Sequence, residues 1–125
     1  NWYNAHRTMR MNIRVSLTWN APDGNSKTLT IHTDRETVVG RAIPEMGYYP
    51  DLDLSDLRVE GQPGQISRVH AEFSVGELGF YITDRFSRNG TFVNGVRLAP
   101  DVPKHLNNGD QVRLGTLEFT FNLDY

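Results

Sequence analysis

The chain has 125 residues, with 13 Lys plus Arg against 15 Asp plus Glu and no cysteine. That length suits one domain around one core, and a formal charge of −2 argues against a general nucleic-acid binder, which needs a basic face. The missing thiols exclude disulfide staples, thiolate catalysis and Cys-based zinc sites, and no apolar run approaches a membrane span of ~20 residues. The missing thiols leave the redox compartment open; we expect a cytoplasmic (intracellular) domain without a cofactor and without contact to nucleic acid or membrane. Its first residue, Asn1, suggests a segment excised from something longer. One imbalance stands inside the balanced charge: the cations are 11 Arg and 2 Lys. Guanidinium suits phosphate and carboxylate, so the excess is either compositional drift or the trace of an anion site.

In chain order, Asn1–Met11 is polar and aperiodic and reads as a flexible extension, with the folded domain spanning 12–125. Ile13, Val15, Leu17 and Trp19 then alternate with polar residues, which puts the apolar set on one face of a strand. Pro22-Asp23-Gly24-Asn25 predicts a turn, and Leu29 and Ile31 a second strand. Thr37–Val39 is a short third. Ala42–Gln65 is a long, Pro- and Gly-punctuated loop in which only Leu52–Leu54 looks like a strand. Such loops are uncommon in compact domains and tend to be functional. Further strands are predicted at Val69–Val75, Phe80–Asp84, Thr91–Val93, Gln111–Leu114 and Leu117–Leu123. Asn89-Gly90, Asn94-Gly95 and Asn108-Gly109 are turn signals between them. No stretch sustains a helical period over three turns. Many short strands at this spacing predict an all-β antiparallel sandwich or barrel.

Three constellations carry candidate chemistry. Asp51, Asp53 and Ser55 resemble the start of a calcium loop, but Asp56 stands where that loop needs Gly and Gln62 where it needs a bidentate Glu. Ser67, His70 and Asp84 are the residue types of a hydrolytic triad. Ser67 and His70, three apart in an extended chain, would point to opposite faces, and no strained elbow presents the serine. His70 reads instead as a satisfied buried histidine. The third is a set of arginines: Arg41 after Gly40, Arg68 beside Ser67, and Arg85 and Arg88 flanking Phe86-Ser87. If their loops leave one end of the sandwich together, they face one small volume suited to a compact dianion. Taken singly, each is a surface solubiliser.

Read in order, these residues are Gly40-Arg41, then Ser67-Arg68-Val69-His70-Ala71, then Asp84 and Asn89-Gly90-Thr91-Phe92-Val93-Asn94-Gly95. From about Lys27 to Asn122 the sequence resembles the forkhead-associated (FHA) domain family. The resemblance implies a sandwich of about eleven strands whose loops at one end bind phosphothreonine in an extended peptide. By position, Arg41 corresponds to the arginine that pairs with the phosphate and Ser67 to the serine that donates a hydroxyl to it. Asn89 corresponds to the asparagine that holds the peptide main chain. Gly40, His70 and Gly90 match positions that shape the loops. Arg88 either adds a second cation or points to solvent, and Arg68 either braces its loop or touches peptide. Gln65, basic in some members, is neutral here, which weakens any contact it makes. The residues following the phosphothreonine would be read near Gly115 and Thr116.

The implied function is a non-catalytic module that recruits proteins phosphorylated by an upstream Ser/Thr kinase. A phospho-independent interaction or oligomerisation sandwich, and a hydrolase using Ser67 and His70, are the competing readings.

Overall fold

In the computed structural model, residues 13–124 are described; the extension expected at Asn1–Met11 lies outside them. The period-two pattern at the start of the chain becomes strand β1 (Arg14–Asn20), in which Val15 and Leu17 are buried while Arg14 and Asn20 are exposed. The expected turn follows, and β2 (Ser26–Thr30) pairs antiparallel with β1, placing Leu17 opposite Leu29. Strand β3 (Thr37–Gly40) ends in a register shift at Val39/Gly40.

The long segment that follows is more ordered than its composition predicts. A 3-10 turn spans Pro44–Met46, and Gly47 closes it in the left-handed region at φ 68°. Strand β4 (Leu52–Asp53) then runs parallel to β3. A miniature hairpin, β5 (Arg58–Val59) and β6 (Gln62–Pro63), completes the segment. Its turn residues Glu60 and Gly61 both have positive φ, as a tight hairpin requires. Two-residue strands are too short for alternation to mark, so hydropathy alone did not reveal them.

The rest of the chain follows the predicted strands closely: β7 (Val69–Gly76), β8 (Gly79–Asp84), β9 (Thr91–Val93), β12 (Gln111–Leu114) and β13 (Leu117–Asp124). Short β10 (Val96–Arg97) and β11 (Lys104–His105) are additions. The two main sheets have the orders β10-β9-β12-β13-β1-β2 and β11-β8-β7-β3-β4, together eleven strands. Every pairing is antiparallel except β3 with β4. This is the expected β-sandwich.

Side chains from both sheets interdigitate between them. Phe73 of β7 stacks on Phe121 of β13 with ring centroids 6.4 Å apart, and Phe80 of β8 meets the same ring at 6.3 Å. All three rings are buried, and removing one of this kind costs about 3–5 kcal/mol. The core thereby fixes the strand ends from which the loops at 64–68, 85–90 and 115–116 project.

Candidate functional site

The closest backbone approach in this part of the molecule is at Gly40. A Cβ there would lie 1.8 Å from the Arg68 carbonyl oxygen, so only hydrogen fits. The next residue, Arg41, donates its backbone N–H to that same carbonyl at 3.2 Å, and its Nε donates to Ile66 O at 3.1 Å. The Tyr48 hydroxyl also donates to Arg68 O, at 3.1 Å. Burial and the Asp51 charge raise the Tyr48 pKa, which keeps that donor protonated. The end of β3 is thus fastened to the loop before β7. One Arg41 side-chain donor, Nε, is spent on orientation, and the two terminal NH2 groups of the guanidinium remain for a ligand.

His70 fastens this loop to the next one. Its Nδ1 accepts the Ser67 backbone N–H at 3.1 Å, which makes Nε2 the protonated nitrogen, donating to Gly90 O at 2.9 Å. The ring is fully buried, and burial lowers its pKa against smaller opposing effects of the Gly90 carbonyl and Asp84. Neutral His70 is therefore a bridge with both nitrogens in use. The opposite-face expectation for Ser67 and His70 is corrected: Ser67 lies in a loop before β7 begins, and the two residues meet through the serine backbone. The serine Oγ turns elsewhere and accepts the Arg88 backbone N–H at 3.0 Å. With a lone pair so engaged, its own hydrogen can be directed into the cleft.

Asp84, buried, organises the loop that bears Arg88 and Asn89. Its carboxylate accepts the Ser87 and Thr91 hydroxyls and the Ser87 backbone N–H. Ser87 Oγ in turn accepts the Gly90 N–H at 3.1 Å. Gly90 has φ 91°, while Asn89 keeps a negative φ and sends its Nδ2 to Gln65 O at 3.2 Å. Gln65 itself sits at φ 60°. Gly115 packs against the Gln65 carbonyl and donates its N–H to Gly90 O at 3.0 Å. Thr116 donates its N–H and hydroxyl to Gly64 O at 2.9 and 3.0 Å. Three loops that are far apart in sequence thus form one rim.

The rim encloses an open cleft of about 700 Å³ lined by Arg41, Gln65, Ile66, Ser67, Arg68, Val69, Arg88 and Asn89. Arg41, Gln65, Ser67, Arg68, Arg88 and Asn89 lie in that lining, Gly115, Thr116 and Arg85 do not, and Gly40, His70 and Gly90 stand behind it and hold it. No carboxylate belongs to the lining. Among the described residues, none lies within 4 Å of Arg41, Arg68 or Arg88. Arg85 is different, because its guanidinium is drawn into an ion pair with Glu72. The calcium-like residues are likewise engaged. Asp51 accepts from Val38 N and faces His32 and Arg35, and Asp53 caps Ala42 N and Ser55.

A sequence profile described as the FHA domain matches residues 37–115, which include all eight cleft residues. The chain belongs to the FHA domain family. Among its relatives, the zebrafish (Danio rerio) E3 ubiquitin-protein ligase rnf8 is 44% identical over 92 residues, covering 73% of this chain and 17% of that protein. The chain spans between 13% and 47% of the lengths of the curated relatives it matches. Its fold is similar to the FHA domain of CT664 from Chlamydia trachomatis, with TM-score 0.70, 26% identity and coverage of 90% and 98% of the two chains. A structure described under phosphothreonine-dependent FHA domain interactions matches at TM-score 0.62 and 25% identity, covering 87% and 95%.

Sequence reading of this FHA domain missed the supporting parts more than the lining. Asp84 appeared as a triad type and within the family motif but with no role of its own, although Asp84, Ser87 and Thr91 form the polar anchor of the loop. Aspartate three residues before a serine was a usable signal, since short polar side chains capture local backbone and hydroxyl groups in turns. Tyr48 and the Gly64–Gly115 contact had no local signal, because their partners lie 20 and about 50 residues away.

Proposed function

We propose that this FHA domain is a non-catalytic reader of phosphothreonine peptides, spanning 12–125, that recruits proteins phosphorylated by a Ser/Thr kinase. The observation that carries the reading is the cleft with three guanidiniums, none paired with a carboxylate among the described residues, beside Ser67 Oγ and the Asn89 amide. A phosphothreonine brings about −1.5 to −2 charges and three acceptor oxygens. Arg41 supplies a forked donor, Ser67 a hydroxyl, and Arg68 and Arg88 further positive charge. Asn89 both donates and accepts, so it can pair with a peptide bond of an extended ligand. Preference for threonine over serine rests on one methyl group, about 0.8 kcal/mol when buried.

Titration of a phosphothreonine peptide library and its unphosphorylated twins tests the proposal. Binding confined to the phosphorylated members, and reduced at least tenfold by Arg41→Ala, is expected. Equal binding to both sets, or binding that survives Arg41→Ala, would overturn it and favour a phospho-independent interaction surface.

A further inference from the structure

The Asn-Gly pairs at 89, 94 and 108 differ in chemical environment as well as in turn geometry. In any such pair the glycine nitrogen can attack the asparagine side-chain carbonyl, because glycine puts no Cβ in the way. The tetrahedral intermediate carries an oxyanion, so neighbouring cations favour the step and a neighbouring carboxylate opposes it. Asn94 is held at both ends: Nδ2 donates to Asp110 Oδ1 at 3.0 Å, and Oδ1 accepts from Gln111 N at 2.9 Å. Asn108 Oδ1 accepts from Leu123 N at 2.8 Å, and the Gly109 N–H is spent on Phe121 O, also at 2.8 Å. The Asp110 carboxylate stands near this pair too, accepting Asn107 N at 2.8 Å.

Asn89 is placed differently. Among the described residues its exposed carboxamide makes one hydrogen bond, of 3.2 Å to Gln65 O. That carbonyl adjoins the Ile66 carbonyl that orients Arg41. Asn89 lines the cleft with Arg41, Arg68 and Arg88, and no carboxylate among the described residues lies within 4 Å of these guanidiniums. The Gly90 N–H that must be lost donates to Ser87 Oγ at 3.1 Å, and the serine's own hydrogen goes to Asp84. The serine oxygen is thereby left to accept.

We propose that Asn89 is a site of spontaneous deamidation, and that the carboxylate formed there shuts the anion cleft. Gly90 N bonds to Asn89 Cγ, its proton leaves with Nδ2 as ammonia, and a cyclic imide results. Water then opens the ring. Opening at Cγ restores the Gly90 amide and leaves aspartate; opening at the main-chain carbonyl leaves isoaspartate, with the chain running through Cγ. Either route consumes one water and releases one ammonia, and nothing is oxidised. The new carboxylate cannot donate to Gln65 O, and it pairs with guanidiniums that would otherwise meet a phosphate. This consequence for the ligand rests on the phosphothreonine reading, whereas the reaction itself does not.

Peptide mapping by mass spectrometry, on the whole chain kept in heavy-oxygen water, would follow oxygen uptake at positions 89, 94 and 108. The denatured chain, run in parallel, gives the intrinsic rate of each pair. Relative to that rate, folding should slow Asn89 about tenfold less than Asn94 or Asn108, the equivalent of one hydrogen bond left unbroken. In the Arg68→Gln/Arg88→Gln variant the Asn89 rate should fall severalfold while the other two hold. Slowing at Asn89 as great as at the other two pairs overturns the site, as does a rate indifferent to both arginines. Calorimetry tests the closure: Asn89→Asp should bind a phosphothreonine peptide about tenfold more weakly than Asn89→Ala, which lacks the charge. Equal affinity of these two variants overturns it. Failure of the phosphothreonine reading has a separate signature, since the fresh native chain would then bind a phosphopeptide no better than its unphosphorylated twin. In that case the oxygen map alone decides the reaction, by the same two outcomes.

Discussion

Asn89-Gly90 and Asn94-Gly95 are the same dipeptide five residues apart, and the fold uses them in opposite ways. At 94–95 both residues have positive φ, 50° and 83°, the geometry of a tight hairpin turn between β9 and β10. The Asn94 side chain is consumed locally: its Nδ2 donates to Asp110 and its Oδ1 accepts from Gln111 N. At 89–90 only the glycine has positive φ, and Asn89 reaches across to the Gln65 carbonyl from an exposed position on the cleft. The local signal was identical. What separates the two is the partner backbone that each turn meets.

Substituting the glycines should break this comparison most sharply. Gly95→Ala meets open space, so its cost is the left-handed backbone alone, about 1–2 kcal/mol, with peptide binding unchanged. Gly90→Ala adds contacts of 2.9 Å to Phe92 and 3.0 Å to Arg97, so denaturant melts should show a total near 2–4 kcal/mol. Phosphopeptide affinity should fall at least tenfold as the Asn89 loop shifts.

The asparagines should divide more cleanly. Asn89→Ala is expected to lower phosphopeptide affinity by one to two orders of magnitude, about 1.4–2.8 kcal/mol, with little change in melting. Asn94→Ala should do the reverse, losing about 0.5–1.5 kcal/mol of stability with its hydrogen bond to the Gln111 N–H and leaving binding intact. Calorimetry and thermal melts on the same two proteins suffice. Equal effects on both readouts would erase the distinction between the turns.

A smaller effect comes from pH. Burial lowers the His70 pKa from its ordinary 6.5, so the unfolded chain binds the proton more readily than the folded one. The stability that neutral His70 contributes is complete above about pH 6.5 and declines as the pH falls from there through the folded value. Protection of the Ser67 amide, which donates to His70, should drop over that window relative to the Asn94 amide, which donates to Gln111 O. Hydrogen exchange corrected for intrinsic rates checks this. The smallest effect belongs to Arg85→Ala, which removes an exposed ion pair to Glu72 and should cost no more than about 1 kcal/mol, with affinity unchanged.

Legibility in the sequence followed the length of each element. Strands long enough to alternate, such as 14–20, 69–76 and 117–124, were readable because one face of each had to be apolar. The pairs 58–59, 62–63, 96–97 and 104–105 were not, because two residues hold no period. The lining of the cleft and the loop-shaping Gly40, His70 and Gly90 were legible through resemblance, whereas the contacts that Asp84 and Tyr48 make to brace the loops were not. Ser67 and His70 were expected to diverge because a strand was assumed where the chain is still a loop. Arg85 and Arg88 were indistinguishable until Glu72 was found beside one of them.

The chain's balanced charge, its period-two strands and the order Gly40-Arg41, Ser67-Arg68, Asn89-Gly90 were properties of the sequence alone. They determined a β-sandwich of the FHA family and which residues to inspect. Only tertiary structure decided which arginines remain unpaired, that neutral His70 joins two loops, and that Arg97 and Arg113 meet on Phe92. The reason is physical. Alternation is written in neighbouring residues, whereas a guanidinium's partner is chosen by register and loop packing across strands that are distant in the chain.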